Sequence, residues 1–364
     1  MTMTNRRASR ARPGLRWAAT AVAAALALAG CSGGDTSGAA PETADFPAAS
    51  LEGMRVLLAN DDSVQAAEED GADGLGLYAL RSALCGAGAD VVTFGPWGYQ
   101  SSMSSAIHGE GSLAVGKPPE IPEQYAGDCA DAPSEGVVYG VCMDDGPCEE
   151  GSPSATPVDS VSFALGHGLS ELVGWDGDPD LMVSGVNSGP NLASQLLVSG
   201  TVGAALAAQR TGVPAVAVSA AIDLETGGVP PETYPVAADF AADLVARMHG
   251  AELLTADYVV NVNHPAAADG APVGDVRWTE AGVGTVVGVE YAEDGGAYEM
   301  QLRACEPEAE DCRPEERENA DAVATMAEGA VSVSPVTSDI AFGAEQESET
   351  VDELGDLVSS LGAD

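Results

Sequence analysis

The chain has 364 residues, 45% of them hydrophobic and 20% charged, so it is globular material able to bury a sizeable core, and a disordered chain is excluded. Its 57 acidic residues face 14 basic ones, a formal net charge of −43. Such a field repels a nucleic-acid duplex and offers no counterion-release gain, which excludes an electrostatic nucleic-acid binder. A phosphate group bound here would have to be received by a metal ion or by backbone amides.

Arg6, Arg7, Arg10, Arg12 and Arg16 precede Cys31, and no acid does. They lead into an apolar run over 17–29, too short to span a bilayer permanently and shaped like the core of an export signal. The run ends in Leu28-Ala29-Gly30-Cys31, which matches a bacterial lipobox. Residues 1–31 are therefore expected to be a lipoprotein signal peptide with Cys31 as the lipidated residue. The mature protein is expected on the outer face of the bacterial cell membrane, held by the lipid anchor only. Export by the Sec or the twin-arginine route stays open. A chain beginning at Cys31 carries nine bases and a formal charge of −48. Residues 32–53, small, polar and proline-punctuated, predict a flexible linker, leaving roughly 310 residues to fold.

Folding is expected to begin at Met54. MRVLLA (54–59) predicts a strand and DGLGLYALRSALCGAG (73–88) a helix with a glycine stop. DVVTFGP (90–96), PDLMVSG (179–185), TGVPAVAVSA (211–220) and DYVVNVN (257–263) are further apolar runs without polar alternation, as expected of strands buried on both faces of a parallel sheet. Helical stretches at 158–173, 199–212 and 234–250 lie between them. This alternation predicts an α/β fold with a Rossmann-like, doubly wound, mostly parallel sheet, its core over 54–274. Residues 110–157, rich in Pro, Gly, Asp and Cys, read as a long loop or insertion stapled by disulfides. The C-terminal extension, 275–364, predicts a β-hairpin from VGTVVGVEY and AYEMQLRA and a closing helix over 349–361.

Apart from Cys31 there are six cysteines: Cys85, Cys129, Cys142, Cys148, Cys305 and Cys312. An even number in an exported chain points to disulfides. Of the 15 pairings open to six cysteines, short separations favour Cys142–Cys148 and Cys305–Cys312, which leaves Cys85–Cys129. Zinc is disfavoured, because no C-x-x-C occurs and no histidine stands at ligand spacing.

In an open α/β sheet the site lies at the carboxyl ends of the strands. Three polar clusters fall there. Asn60-Asp61-Asp62 follows the first strand, and adjacent carboxylates in a cleft suit a hard divalent cation, although the same residues also make an Asx turn. Ser101, Ser102, Ser104 and Ser105 follow the second. SGVNSGPN (184–191) follows PDLMV, and Ser199-Gly200-Thr201 opens a helix whose N-terminus can seat an anion. His108, His167, His249 and His264 have no mutual metal spacing, and Asp176, Asp178 and Asp180 lack the glycine and glutamate of a calcium loop.

From Met54 to about Phe342 the sequence resembles the SurE (survival protein E) nucleotidase family. MRVLLANDD is similar to that family's opening strand and Asn-Asp-Asp signature, GPWGYQSSMS to its serine loop, and PDLMVSGVNSGPNLASQLLVSGTVGAA to its longest polar block. TPVDSVSFAL, VVNVN and AVSVSPVTSDI are similar to its later blocks. The resemblance implies one Mg²⁺ or Mn²⁺ per subunit held by Asp61, Asp62, Ser101 and Asn187. Ser104, Asn191, Ser199, Gly200 and Thr201 would surround the substrate phosphate, with Asp61 and Asn191 in catalytic roles. It also implies hydrolysis of nucleoside 5′- and 3′-monophosphates and assembly as a homodimer or tetramer. Two departures lie at the mouth of the site. Ser63 stands where the family has glycine, and Trp97 and Gln100 stand where it has aspartate and arginine. Competing readings are a lipid-anchored nucleotide-binding protein without hydrolysis and a broader acid phosphatase or exopolyphosphatase on the same residues.

Overall fold

The computed structural model describes residues 46–65, 74–118, 120–224, 226–267, 274–305 and 317–340, with Val351, Leu354, Leu357 and Val358 near the C-terminus. The signal peptide, Cys31 and most of the linker lie outside the described residues, as do Cys312 and most of the closing helix.

β1 (Arg55–Ala59) sits in mid-sheet, and alternate side chains show why both faces must be covered. Val56 and Leu58 join one core with Leu77, Leu80 and Leu84 of α1 (Leu75–Gly86) and Ala238, Ala241 and Val245 of α4 (Thr233–Gly250). Leu57 and Ala59 join a second core with Val161 of α2 (Pro157–Phe163) and Val202 and Ala205 of α3 (Gly200–Arg210). A strand apolar on both faces between two helical layers is the doubly wound arrangement read from the sequence.

β2 (Asp90–Pro96) and β4 (Val138–Cys142) continue the sheet on one side of β1, and β5 (Leu181–Ser188), β6 (Ala215–Ala220) and β7 (Val259–His264) on the other, all parallel. β3 (Ala114–Gly116) runs antiparallel on β4; β11 (Val331–Val336) runs antiparallel on β7 and carries β8 (Val276–Trp278) beyond it. The chain moves outward from β1 through β2 to β4, then returns through α2 to place β5 directly beside β1. The topological switch point is thus between β1 and β5, and their carboxyl ends hold Asn60-Asp61-Asp62 and Asn187.

Residues 110–157 differ from the loop expected of their composition, since they supply β3 and β4 to the main sheet. Gly140 makes this possible, because a Cβ there would stand 2.5 Å from Trp97 and 2.7 Å from Val64. The insertion is stapled as expected, by Cys85–Cys129 and Cys142–Cys148. α2 begins in a capping box between Thr156 and Asp159 with Pro157 at its first position, and runs on as a wider π-helical stretch over Ala164–Val173. The C-terminal hairpin is present as β9 (Val287–Asp294) and β10 (Ala297–Ala304).

Candidate active site

Asp61 and Asp62 leave β1 into the interior, 1% and 2% exposed. Asn60 brackets both: its Oδ1 accepts from the Asp61 amide at 2.9 Å, and its Nδ2 donates to Asp62 Oδ2 and to Val186 O at 3.3 Å each. Asp62 Oδ2 also accepts from the Ser188 amide at 2.7 Å, which ties the end of β1 to the end of β5. Ser63 has φ 106°, a conformation that suits glycine. Its hydroxyl compensates locally, donating to Trp97 O at 3.1 Å and accepting from the Gln65 amide at 2.9 Å.

The serine loop closes over Asp61, whose carbonyl accepts from the Gln100 amide at 2.8 Å. Ser104 is docked on the segment before α3, its hydroxyl donating to Leu197 O at 2.8 Å and its amide to Val198 O at 3.1 Å. Gly203 lets the helix lie against this loop, since a Cβ there would collide with the Ser104 carbonyl. Ser199 caps α3 by accepting from the Val202 amide at 3.0 Å. The next two residues serve Asp61: Thr201 Oγ1 donates to Asp61 Oδ1 at 2.6 Å, and a Cβ on Gly200 would stand 2.8 Å from Asp61 Oδ2. Burial pushes the Asp61 carboxyl above the usual carboxylate range, opposed by the Thr201 hydroxyl and the amides of Asp61, Thr201 and Gly200. The helix N-terminus that the sequence reading gave to phosphate therefore meets a protein carboxylate first.

Asn187 and Asn191 follow on β5 and the loop after it. Asn187 Nδ2 donates to Gly189 O at 2.7 Å, while its Oδ1 is buried without a hydrogen-bond partner. A buried amide oxygen in that condition, lining the same cavity as Asp61, fits a hard cation, which takes oxygen ligands. Asn191 stands on a pedestal that pattern reading did not find. Its amide donates to Asn263 Oδ1 at 2.7 Å, its carbonyl accepts from Asn261 Nδ2 at 3.0 Å and Asn263 Nδ2 at 3.1 Å, and its Nδ2 donates to Ser219 Oγ at 2.9 Å. Asparagines at alternate positions of an apolar run, in Val259–His264, were the available signal.

These groups open into a cavity of about 300 Å³ lined by Asp61, Ser101, Asn187, Asn191 and Ser199 together with Tyr99, Leu224 and Arg303. Tyr99 is 48% exposed and Leu224 64%, so the mouth is apolar while the floor is polar. Neither Arg303 nor Tyr99 was singled out from sequence. A cavity of about 620 Å³ near Gly53, Asp90 and the Cys85–Cys129 bridge lies at the amino ends of β1 and β2, away from these groups. Among the described residues no three His, Cys, Asp or Glu side chains gather as a metal cluster, so a cation at Asp61 would also need amide and hydroxyl ligands. His108 is engaged by Asp159, Nδ1 to Oδ2 at 2.6 Å, next to the α2 cap. Among the described residues no helix is long and apolar enough to cross a membrane.

Residues 56–286 match the model of the family described as Survival protein SurE, and the chain belongs to that family. It is 34% identical over 230 residues to the 5′-nucleotidase SurE of Desulforudis audaxviator, covering 63% of this chain and 71% of that one. Against the 5′-nucleotidase SurE of Xanthomonas axonopodis pv. citri it is 32% identical over 248 residues, 68% of this chain and 72% of the other. The SurE protein of Aquifex aeolicus shares the fold at a TM-score of 0.56 and 24% identity, over 83% of this chain and all of that one.

Proposed function

We propose that this protein is a metal-dependent phosphomonoesterase that hydrolyses nucleoside 5′- and 3′-monophosphates to nucleoside and phosphate, using one Mg²⁺ or Mn²⁺ per subunit. The observation that carries the reading is the convergence, at the β1/β5 switch point, of two buried carboxylates, a buried Asn187 Oδ1 without a partner, and the polar floor of a cavity with an apolar mouth. The naming of similar proteins as 5′-nucleotidases supports it. Asp61, Asp62, Ser101 and Asn187 would hold the ion. Bound there, it would polarise the phosphoryl oxygens and lower the pKa of the attacking water.

The chain's own residues do the positioning. Asn60 holds the two carboxylates in place, and Thr201 with the α3 amides fixes Asp61 and partly opposes the upward push of burial on its carboxyl, so that it can orient the attacking water. Asn191, fixed from below by Asn261 and Asn263, and Ser199 line the cavity and would face the phosphate, while Gly200 and Thr201 would act on it through Asp61 and Ser104 would hold the serine loop. Tyr99 and Leu224 offer the apolar rim that a nucleoside requires. Lipid anchoring through Cys31 on the outer face of the cell membrane, and assembly as a homodimer or tetramer, complete the proposal.

The test is release of inorganic phosphate from AMP with Mg²⁺ or Mn²⁺, with and without chelator. Asp61→Asn and Asp62→Asn remove charge at nearly constant volume and are expected to lower kcat at least about 100-fold with the fold retained by circular dichroism. Near-normal turnover by either variant at saturating metal would overturn the site assignment.

A further inference from the structure

Arg303 is one of only nine basic residues that follow Cys31, and five of the others have partners away from the cavity. Arg55 lies over Trp175, Arg81 donates to Gly136 O and Asp128 O, Arg247 pairs with Asp243, Arg277 with Glu328, and Arg317 with Glu280. Arg303 is the one basic side chain among the described residues lining the cavity that holds Asp61, Asn187 and Asn191. The hairpin places it there. β10 pairs with β9 so that Arg303 opposes Gly288 and Gln301 opposes Glu290, which sets Arg303 and Glu290 diagonally on one face. Their Nε to Oε1 distance is 3.0 Å, yet the pair is asymmetric, with the Arg303 side chain 24% exposed and Glu290 66%. The guanidinium is turned inward and its acid outward.

The base of the hairpin is tied to the residues that build the site. Gln195 Nε2 donates to Val287 O at 3.4 Å, the Ser194 amide to Gly284 O at 3.1 Å, and the Cys305 amide to Val286 O at 3.0 Å. Val286 and Val287 line the same cavity. Charge balance then bears on function. Asp61 and Asp62 bring two negative charges, which a divalent cation offsets and no more. A phosphomonoester near neutral pH brings up to two further negative charges into a chain whose net charge is already −43. A fork of fixed N–H donors suits phosphate oxygens.

We infer that Arg303, delivered by the C-terminal hairpin, is a substrate-binding residue that receives the phosphate dianion, a contact additional to the metal. The inference rests on the phosphomonoesterase reading above and adds to it a cation from a segment outside the residues that match the family. Its test is calorimetric titration of inorganic phosphate into the full protein with Mg²⁺ present, alongside KM for AMP and for p-nitrophenyl phosphate. Arg303→Gln is expected to weaken phosphate binding by roughly tenfold to a hundredfold and to raise both KM values in parallel, with an unchanged melting temperature. Arg303→Lys, which keeps the charge and loses the fork, should fall between, and carries the test if the glutamine variant fails to fold. Glu290→Gln should leave phosphate binding within about twofold, since the cross-strand pair is not the source of affinity. Wild-type phosphate affinity in either Arg303 variant would overturn the inference. Wild-type protein that binds phosphate but releases none from AMP would sink the nucleotidase reading and leave the comparison of Arg303 variants decisive. Failure of the wild type to bind phosphate at all would sink both.

Discussion

Thr201→Val is the most informative single change in the floor of the site. The side chains are nearly the same size, so the substitution removes one hydroxyl and leaves the start of α3 otherwise intact. That hydroxyl donates at 2.6 Å to an oxygen of Asp61 in a fully buried position. A hydrogen bond to a charged acceptor contributes about 1.5–3 kcal/mol, and removing the donor leaves the carboxylate short of a partner it cannot replace with water. For a chain of this size the melting temperature should fall by roughly 2–5 °C. The concentration of Mg²⁺ giving half-maximal phosphate release from AMP should rise, and kcat should fall about tenfold to a hundredfold as Asp61 loses its orientation. Thr201→Ser keeps the donor and should retain most activity. Were Thr201 instead a direct phosphate ligand, the valine variant would show a raised KM with unchanged metal dependence and melting temperature. That outcome would refute the argument that Thr201 acts through Asp61.

Ser63 at φ 106° gives an ordering that a melt can check. Ser63→Gly relieves about 1–2 kcal/mol of backbone strain and loses two hydrogen bonds of about 1 kcal/mol each, so it should be close to neutral, whereas Ser63→Ala keeps the strain, loses both bonds and should melt lower. An alanine variant as stable as the glycine one would contradict the compensation seen around Trp97 and Gln65. The bridges Cys85–Cys129 and Cys142–Cys148 close separations of 44 and 6 residues, for which chain entropy gives about 4 and about 2 kcal/mol. Reduction should lower the melting temperature and spare initial phosphatase activity at moderate temperature; immediate loss of activity before unfolding would assign these cysteines another part. His264 is buried, its Nδ1 against Pro265 O at 2.7 Å, and burial holds its pKa below the ordinary 6.5. The unfolded chain therefore binds a proton that the folded one refuses, so stability is complete above pH 6.5 and declines as pH falls below it. In denaturant melts from pH 7 to 5, His264→Asn should lose less stability than wild type, and parallel curves would show that this histidine contributes nothing to the decline.

The central strands and helices α1–α4 were legible because burial on both faces writes continuous apolar runs, and a helix between two such runs has only one way to pack. β2 was expected at 90–96 and found at Asp90–Pro96; α4 was expected at 234–250 and found at Thr233–Gly250. β4 was not legible. Five residues, Val138–Cys142, sit in a stretch whose Pro, Gly, Asp and Cys content signals loop, and the glycine that lowers their strand propensity is what lets Trp97 pack against them. β8 is three residues long and exposed, too short to carry any period.

The site shows the same division between what a pattern states and what only a fold can. Asn60, Asp61 and Asp62 are adjacent in sequence, so their gathering at a strand end could be read directly. Thr201 and Asp61 are 140 residues apart, and Asn191 and Asn263 are 72 apart. Their contacts exist because α2 returns the chain to set β5 beside β1, with β6 and β7 following outward. Pattern reading assigned Ser199, Gly200 and Thr201 to phosphate because a helix N-terminus attracts anions, and the attraction is there. What it could not state is which anion arrives first. With Asp61 Oδ1 already bonded to Thr201 and Gly200 facing Oδ2, the α3 dipole stabilises a protein carboxylate in a low-dielectric pocket. On the proposed function, charge for the substrate would then come from a cation at Asp61 and from the hairpin. An acidic chain could in this way receive a dianion with very few bases, provided one of them is placed inside the cavity rather than on the surface.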